Sequence, residues 1–248
     1  MIQIRGLAKR LGSKQVLDGV DLDIQKGETL VVLGPSGTGK SVLLKHIIGL
    51  MGPDRGSIEI DGDNIVGMKE PEMNAVRKRF GMLFQGAALF DSMTVGENVG
   101  LSLREHSRMK QSEIDRRVAE RLEWVGLRGV ENMKPASLSG GMRKRAGLAR
   151  AIAMDPQFIL YDEPTTGLDP IMADVIDRLI RDLQRRMGVT SIVVTHDLVS
   201  ATKVADRMAM LYGGKVVFQG TPDEVHATKD PLMRQFIEGS STGPIQPV

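Results

Sequence analysis

The chain has 248 residues, enough for one ample domain, and its 33 Lys and Arg residues nearly balance 31 Asp and Glu residues, leaving a net charge of +2. This balance disfavours proteins that hold nucleic acid by bulk charge, and the lack of cysteine excludes disulfide frameworks, thiolate metal sites and a cysteine nucleophile. Because no apolar run approaches a bilayer span and the N-terminus lacks the pattern of a secretory leader, we expect a soluble cytosolic protein.

The N-terminal third of the chain is predicted to consist mainly of strands. Apolar residues alternate through residues 2–24, and residues 29–33 form a β-branched run typical of a strand buried on both faces. Residues 42–50 have helical spacing, and residues 57–60 and 81–84 are further candidate strands. We therefore expect an N-terminal antiparallel β region in front of the core sheet.

The remaining segments predict alternating helices and strands. Residues 94–126 are helical and amphipathic, residues 158–161 and 190–194 repeat the buried-strand pattern, and residues 171–187 form a helix between them. Residues 208–212 and 215–219 form a predicted hairpin, and residues 239–248 have the composition of a flexible tail. This order indicates an α/β fold with a mostly parallel sheet, forming a single domain over residues 1–238 with a helical subdomain inserted at about 86–150.

A glycine-rich segment lies between the buried strand at 29–33 and the helix that follows. Gly34, four residues and then Gly39-Lys40-Ser41 are the pattern of a phosphate-binding loop, in the strand–loop–helix setting that such a loop requires. Lys40 would reach the β- and γ-phosphates, and the Ser41 hydroxyl would hold Mg²⁺. The predicted ATP-binding residues here are Gly34, Pro35, Ser36, Gly37, Thr38, Gly39, Lys40, Ser41 and Val42. The core is therefore predicted to be of the P-loop NTPase type.

Two adjacent acids, Asp162 and Glu163, leave the apolar strand predicted at 158–161. Such a pair is costly beside a buried strand unless it meets a cation or polar partners. Asp162 is the candidate for holding Mg²⁺ through water, and Glu163 is the candidate for polarising the attacking water. Gln85 and His196 also follow predicted strands, so we expect four strand ends to converge on one γ-phosphate.

A second glycine-containing helix start lies at residues 138–142, which read Leu-Ser-Gly-Gly-Met. Ser139 and two glycines at the start of a helix predicted to run to about residue 154 form another anion-binding end. Since one phosphate loop is enough to bind one nucleotide, this second helix start is best explained by a two-fold dimer, in which it would face the nucleotide bound to the partner. We interpret the basic residues that follow, Arg143, Lys144, Arg145 and Arg150, as a solvated face rather than a nucleic-acid patch.

These motifs, in this order and spacing, resemble the ATPases of ABC transporters over about residues 2–238. The set comprises Walker A at 34–41, the Q-loop Gln85, the signature at 138–141, Walker B at 158–163, the D-loop Gly167-Leu168-Asp169 and the switch His196. The resemblance implies a head-to-tail dimer that sandwiches two MgATP, with trans contacts from Ser139, Gly140, Gly141, Met142 and Asp169. It implies catalytic roles for Glu163, His196, Gln85 and Lys40, and metal ligation by Ser41, Gln85 and Asp162. Closing of the dimer would drive an attached permease.

A narrower resemblance depends on residues outside the catalytic motifs. Met142 stands where most of the superfamily has Gln, and Leu-Ser-Gly-Gly-Met looks like the ATPases of MCE-type lipid transporters. Residues 77–79, 82–85, 88–90, 103–106 and 126–129 are similar to the ATPase of the Mla phospholipid system of Gram-negative bacteria. The resemblance implies a peripheral protein at the cytoplasmic face of the inner membrane, with a permease, a periplasmic MCE-domain protein and a small STAS-domain protein as partners. It also implies that the tail containing Gly243-Pro244 reaches the neighbouring ATPase.

The chain departs from the superfamily pattern where the adenine is usually stacked. An aromatic residue is expected in the first strand region, yet no aromatic residue occurs before Phe80. The corresponding position falls near Arg10 and Leu11. We therefore expect one of these two side chains to cover the base, with weaker discrimination between ATP and GTP.

Residues 86–95 follow Gln85 and are apolar for a loop. Two interpretations are equally open: the segment packs on the helical subdomain, or it docks a coupling helix of a permease. Part of the segment could serve each purpose.

The narrower resemblance implies that the chain powers phospholipid transport between the inner and outer membranes, and other functions are alternatives to this interpretation. An importer ATPase for a small polar solute is the nearest alternative among transporters. A non-transport ABC ATPase that acts on DNA or ribosomes is disfavoured, because residues 41–138 lack sustained heptads and the chain carries one cassette. A P-loop kinase for small molecules would leave the signature, the D-loop and His196 unexplained. We therefore expect no nucleic-acid partner.

Overall fold

The structure, a computed structural model, describes residues 1–246, so Pro247 and Val248 at the end of the predicted tail lie outside the described residues. The chain forms two compact units: residues 1–77 with the residues from Thr190 onward make the first, and Lys78–Val189 make the second. Within the described range, no helix is both long and apolar enough to cross a membrane. The predicted single domain and its inserted subdomain stay a prediction.

Strands and helices alternate along most of the chain, which confirms the predicted α/β class. In chain order the strands are β1 (Ile2–Leu11), β2 (Lys14–Ile24), β3 (Thr29–Leu33), β4 (Arg55–Ile60), β5 (Asp63–Asn64), β6 (Phe80–Leu83), β7 (Phe158–Asp162), β8 (Thr190–Thr195), β9 (Arg207–Tyr212) and β10 (Lys215–Gly220). The helices are α1 (Lys40–Ile47), α2 (Glu70–Arg77), α3 (Val95–His106), α4 (Gln111–Trp124), α5 (Gly140–Ala151), α6 (Pro170–Met187), α7 (Leu198–Val204), α8 (Pro222–Ala227) and α9 (Pro231–Glu238).

The predicted antiparallel β region is confirmed in the first unit. Its sheet has the strand order β2-β1-β4-β5, and β1 pairs antiparallel with both β2 and β4. Ile2 lies opposite Ile24, and Ile4 lies opposite Leu22, so the alternating apolar residues share one buried face.

The first unit also holds the strands that carry the phosphate loop. β3 pairs in parallel with β8 on one side and with β9 on the other, and all five of its residues are buried. β9 and β10 form the predicted antiparallel hairpin. A strand buried on both faces needs a continuous apolar run, which is the pattern that predicted β3.

The second unit combines a parallel strand pair with four helices. β6 and β7 pair in parallel, with Leu83 opposite Tyr161. The helix predicted over 94–126 is in fact two helices, α3 and α4. Thr94 and Glu97 begin α3 with a capping box, whereas at the start of α4 the Glu113 carboxylate accepts a hydrogen bond from the Lys110 N–H at 2.7 Å. The apolar periodicity continues through both helices and therefore concealed the break between them.

The described part of the tail contacts the first unit. The buried Gln235 amide on α9 donates hydrogen bonds to the carbonyl oxygens of Ser240 (3.1 Å) and Ile245 (3.0 Å), and its oxygen accepts one from the Ile245 N–H (2.6 Å). The Tyr212 hydroxyl donates to the Pro244 carbonyl at 3.3 Å. The flexibility of residues 239–248 and their docking on a second ATPase stay predictions.

Candidate active site

The phosphate loop begins where β3 ends, in the first unit. Gly34 has φ +154°, and a Cβ atom at this position would collide with the carbonyl oxygen of Leu211 on β9. A side chain would therefore force the loop away from the sheet, which explains why glycine opens it. Gly39 caps α1 without a side-chain hydrogen bond. Because glycine has no side chain to occupy this position, the start of the helix is open to a bound anion.

Lys40 lies inside the loop that precedes it. Its side chain is 6% exposed, and its Nζ donates to the carbonyl oxygens of Gly34 at 2.7 Å and Pro35 at 3.0 Å. The Thr38 hydroxyl donates to the same Pro35 carbonyl at 2.9 Å. These bonds give the loop a curved shape that its own side chains maintain, with a buried cation at the centre.

His196 lies at the same sheet edge as the phosphate loop. The parallel register of β3 and β8 pairs Leu33 with Thr195, so Gly34 and His196 are the next residues on neighbouring strands. Asp197, the residue after His196, caps α7, so only two residues connect β8 to α7. The sequence placed His196 at a strand end beside the loop, and the strand register confirms that position; its contact with the γ-phosphate stays a prediction.

The candidate adenine residues lie at the end of β1. Leu11 pairs with Lys14 beside the turn to β2 and is 41% exposed. The Arg10 N–H donates to Asp54 at 2.7 Å, which fixes its backbone while its side chain stays exposed. Each side chain is therefore accessible to a base, although neither offers an aromatic ring.

We expect ATP and GTP to be hydrolysed with kcat/KM values within about tenfold of each other, because a side chain that covers the face of the base does not read the hydrogen-bonding edge by which adenine and guanine differ. Steady-state phosphate release with each nucleotide checks this expectation. Leu11→Ala should weaken both nucleotides alike. A strong preference for ATP would show that another side chain reads the base.

The two acids at the end of β7 are buried in the second unit. Asp162 is 9% exposed and Glu163 is 8% exposed. Glu163 has φ +48°, a left-handed conformation that costs a residue with a side chain roughly 1–3 kcal/mol. The Thr166 hydroxyl donates to Glu163 Oε2 at 3.0 Å. Strain of this kind at a buried acid is typical of functional sites.

Gln85 lies at the same edge of the second unit as these acids. Since Leu83 pairs with Tyr161, the residues that leave β6 and β7 emerge side by side. The ends of β3 and β8 are confirmed as neighbours in the first unit, and the ends of β6 and β7 are confirmed as neighbours in the second. The convergence of all four strand ends on one phosphate stays a prediction.

The residues predicted to hold Mg²⁺ have a suitable donor set. Ser41, Gln85 and Asp162 supply a hydroxyl, an amide and a carboxylate oxygen, and Mg²⁺ prefers oxygen ligands. No group of three or more His, Asp or Glu residues in residues 1–246 could hold a metal by itself. The binding of Mg²⁺ by Ser41, Gln85 and Asp162 stays a prediction.

The signature residues and the D-loop lie together in the second unit. Ser139 caps α5 and accepts a hydrogen bond from the Met142 N–H at 3.2 Å. Asp169 caps α6, where it accepts from two backbone N–H groups at 3.0 Å. Gly141 faces the end of the Met172 side chain on α6, so the starts of the two helices lie against each other. Their roles towards a partner's nucleotide stay predictions.

The interpretation of the basic residues on α5 as a solvated face holds for Arg143, which is exposed, and is wrong for Lys144, Arg145 and Arg150. Lys144 is buried, and its Nζ donates to the Glu163 carbonyl oxygen at 3.0 Å. Burial lowers the pKa of Lys144, while the charges of Asp162 and Glu163 act in the opposite direction. Arg145 and Arg150 are half-buried and donate to loop carbonyls. α5 packs against α3, α4 and β6, and the local pattern of charges along the sequence does not reveal this packing.

The loop after Gln85 is held by two side chains to which the sequence analysis assigned no such role. Ala87 and Ala88 have φ of +62° and +49°, and the Arg150 guanidinium donates to both carbonyl oxygens. The buried Asn98 side chain accepts from the Phe90 N–H at 2.7 Å and donates to the Phe90 carbonyl at 3.0 Å. Ala87 is buried whereas Phe90 is 52% exposed. One part of the loop therefore packs, as the first of the two interpretations holds, and docking by the exposed part stays a prediction.

Comparison with known proteins identifies a matching family model and several similar proteins. A family model described as ABC transporter matches residues 17–166. The probable ribonucleotide transport ATP-binding protein mkl of Mycobacterium leprae (strain TN) is 49% identical over 98% of this chain and 70% of its own length. The intermembrane phospholipid transport system ATP-binding protein MlaF of Escherichia coli (strain K12) is 41% identical over 99% of this chain and 91% of its own length.

Solved structures of ATP-binding cassettes are also similar to this chain in fold. The ATP-binding cassette MJ0796, solved as a dimer in a post-hydrolysis state bound to ADP and Pi, has a TM-score of 0.83 and 33% identity. The match covers 90% of this chain and 99% of that chain. The cbiO1 structure from Clostridium perfringens, part of the transporter complex cbiONQ, has a TM-score of 0.84 and 29% identity, covering 92% of this chain and 91% of that one. These likenesses confirm the cassette fold that the motifs predicted.

Proposed function

The chain belongs to the ABC transporter family as an ATP-binding ATPase, and from this premise we propose that it powers phospholipid movement between two membranes. The observation that carries the proposal is its nearly full-length likeness to the MlaF protein of Escherichia coli. Such a likeness extends well beyond the short motifs that any ABC ATPase shares. Met142, in place of the usual Gln after the signature glycines, supports the same subgroup.

In the proposed reaction, the N–H groups of the phosphate loop and the Lys40 ammonium bind the β- and γ-phosphates. Glu163 accepts a proton from the attacking water, whose oxygen bonds to the γ-phosphorus as the bond to ADP breaks. His196, which lies beside the loop in the β3–β8 register, contacts the γ-phosphate. Mg²⁺ bound by Ser41, Gln85 and Asp162 would neutralise charge on the phosphates.

We propose that two copies of the chain form the working enzyme. The signature residues and Asp169 of one copy then contact the nucleotide in the phosphate loop of the other. The support is twofold: Ser139 begins α5 as an anion-binding helix start, and the solved cassette MJ0796 is a dimer. Closing of this dimer around ATP would transmit force to the permease.

Ser139→Ala is expected to cut ATP hydrolysis by about 10- to 100-fold, because a donor to the partner's nucleotide is lost, with little change in the ATP affinity of the monomer. Phosphate release and equilibrium nucleotide binding measure the two effects. Thr94→Ala is the matched control, since it removes a comparable helix cap from α3. Hydrolysis at the normal rate in Ser139→Ala would contradict the trans role.

The proposed partners are an integral-membrane permease, a periplasmic MCE-domain protein and a small STAS-domain protein, at the cytoplasmic face of a bacterial inner membrane. The exposed Phe90, in the loop that follows Gln85, is a candidate contact for the permease. The tail around Gly243-Pro244 is a candidate contact with the second ATPase. Nucleic acid is not among the proposed partners.

A second candidate function is import of a small polar solute. The likeness to the probable ribonucleotide transport protein of Mycobacterium leprae favours it, since ribonucleotides are polar solutes. Copurification from membranes of the native cell, followed by lipid and protein identification, distinguishes the two. A permease with bound phospholipid and an MCE-domain protein supports the first function. A periplasmic solute-binding protein on the same permease supports the second and overturns the first.

A further inference from the structure

Lys144 lies on α5, five residues after the Ser139 cap, and its ammonium is removed from solvent. The side chain is 5% exposed, and Nζ donates to the carbonyl oxygen of Glu163 at 3.0 Å. A buried ammonium is costly unless acceptors and opposite charge compensate it. Here the compensation comes from the main chain of Glu163 and from the charges of Asp162 and Glu163.

Glu163 needs such support because its backbone is strained. Its φ of +48° is one that residues with a side chain rarely adopt, and it persists only where neighbours hold it. The Thr166 N–H donates to the Glu163 carbonyl at 3.3 Å, and the Thr166 hydroxyl donates to Oε2 at 3.0 Å. Lys144 and Thr166 therefore hold the main chain of Glu163, while Thr166 also orients its carboxylate.

We propose that Lys144 is a positioning residue for ATP hydrolysis, holding the strained backbone of Glu163 so that the carboxylate faces the attacking water. The inference rests on the proposed role of Glu163 as the base. Lys144 acts through the Glu163 main chain and is not required to touch the nucleotide. A base must be held within a fraction of an ångström of its working position, which makes its supporting hydrogen bonds part of the catalytic apparatus.

The test is Lys144→Met, which keeps the apolar stem and removes the charge and the donor. We expect kcat to fall by about 10- to 100-fold, the loss typical of a base displaced by about 1 Å. The KM and the equilibrium Kd for ATP should stay within about twofold, because Lys144 makes no contribution to phosphate binding. Lys144→Arg, which retains charge and donors, should recover part of kcat.

Arg145→Met is the matched control, since it removes a neighbouring cation that donates to the Gly126 carbonyl at 2.8 Å instead. Normal kcat in folded Lys144→Met overturns the inference. A parallel loss of kcat, ATP affinity and thermal stability, without rescue by Lys144→Arg, would also overturn it, because it identifies a structural role. If Lys144→Met does not fold, Lys144→Gln is judged by the same criteria. Rapid turnover by Glu163→Gln would instead remove the proposed base, whatever Lys144→Met does.

Discussion

Glu163→Gln should lower ATP turnover by about 10³-fold, within the range that general bases contribute, while the variant still binds ATP. The amide cannot accept the proton of the attacking water, yet it has nearly the same shape as the carboxylate. Its oxygen can still accept the hydrogen bond of the Thr166 hydroxyl, and the Lys144 bond to the main-chain carbonyl is untouched. The ground-state geometry should therefore survive while the chemical step fails.

Two measurements check this result. Steady-state phosphate release reports the loss of turnover, and size-exclusion chromatography with light scattering in ATP should reveal a dimer that persists because hydrolysis no longer opens it. Glu123→Gln, an exposed glutamate on α4 in the same unit, is the matched control and should turn over normally. Rapid hydrolysis by Glu163→Gln would assign the base to another residue.

Lys40→Ala should raise the Kd for ATP by about 100-fold, because a charge-assisted hydrogen bond to phosphate in a buried setting is worth about 1.5–3 kcal/mol. The variant also loses the bonds that join Nζ to the Gly34 and Pro35 carbonyls, so the loop loses part of its shape. Lys40→Met, which retains the stem, separates the packing contribution from the contribution of the charge.

Equilibrium binding of a fluorescent ATP analogue measures the Lys40 variants directly. Lys45→Ala is the matched control, since Lys45 is exposed on the same helix and should leave the affinity unchanged. Wild-type affinity in a folded Lys40→Ala variant would show that backbone N–H groups alone bind the phosphates. An equal loss in Lys45→Ala would indicate a general electrostatic effect.

The sequence predicted a large part of the candidate site because its signals are local. A phosphate loop needs a buried strand, glycines and a helix in direct succession, and residues 29–47 contain all three. The neighbouring positions of Gly34 and His196 also followed from pattern, since parallel strands end at the same sheet edge. The same reasoning placed Gln85 and the two acids after neighbouring strand ends, and the parallel pairing of β6 with β7 confirms that these ends adjoin.

Other features escaped prediction because they depend on contacts between distant residues. The break between α3 and α4 was hidden by a continuous apolar periodicity; it is marked by the Ser107 hydroxyl, which donates to the Leu103 carbonyl at the end of α3, and by the Glu113 carboxylate, which accepts from the Lys110 N–H at the start of α4. Asn98 and Arg150 hold the loop after Gln85 through bonds to main-chain carbonyls. Neither belongs to a motif, so a search for chemical patterns passes over both.

The amino-acid sequence by itself determined the chemistry of this protein: a phosphate-binding loop, a pair of acids at a strand end and a second helix start suited to an anion. Only the tertiary structure decided how that chemistry is held. It buries the Lys144 ammonium against Glu163 and keeps Glu163 in a strained backbone conformation. Local residue patterns encode strands, loops and helix starts, whereas the burial of a charge depends on every segment that packs around it.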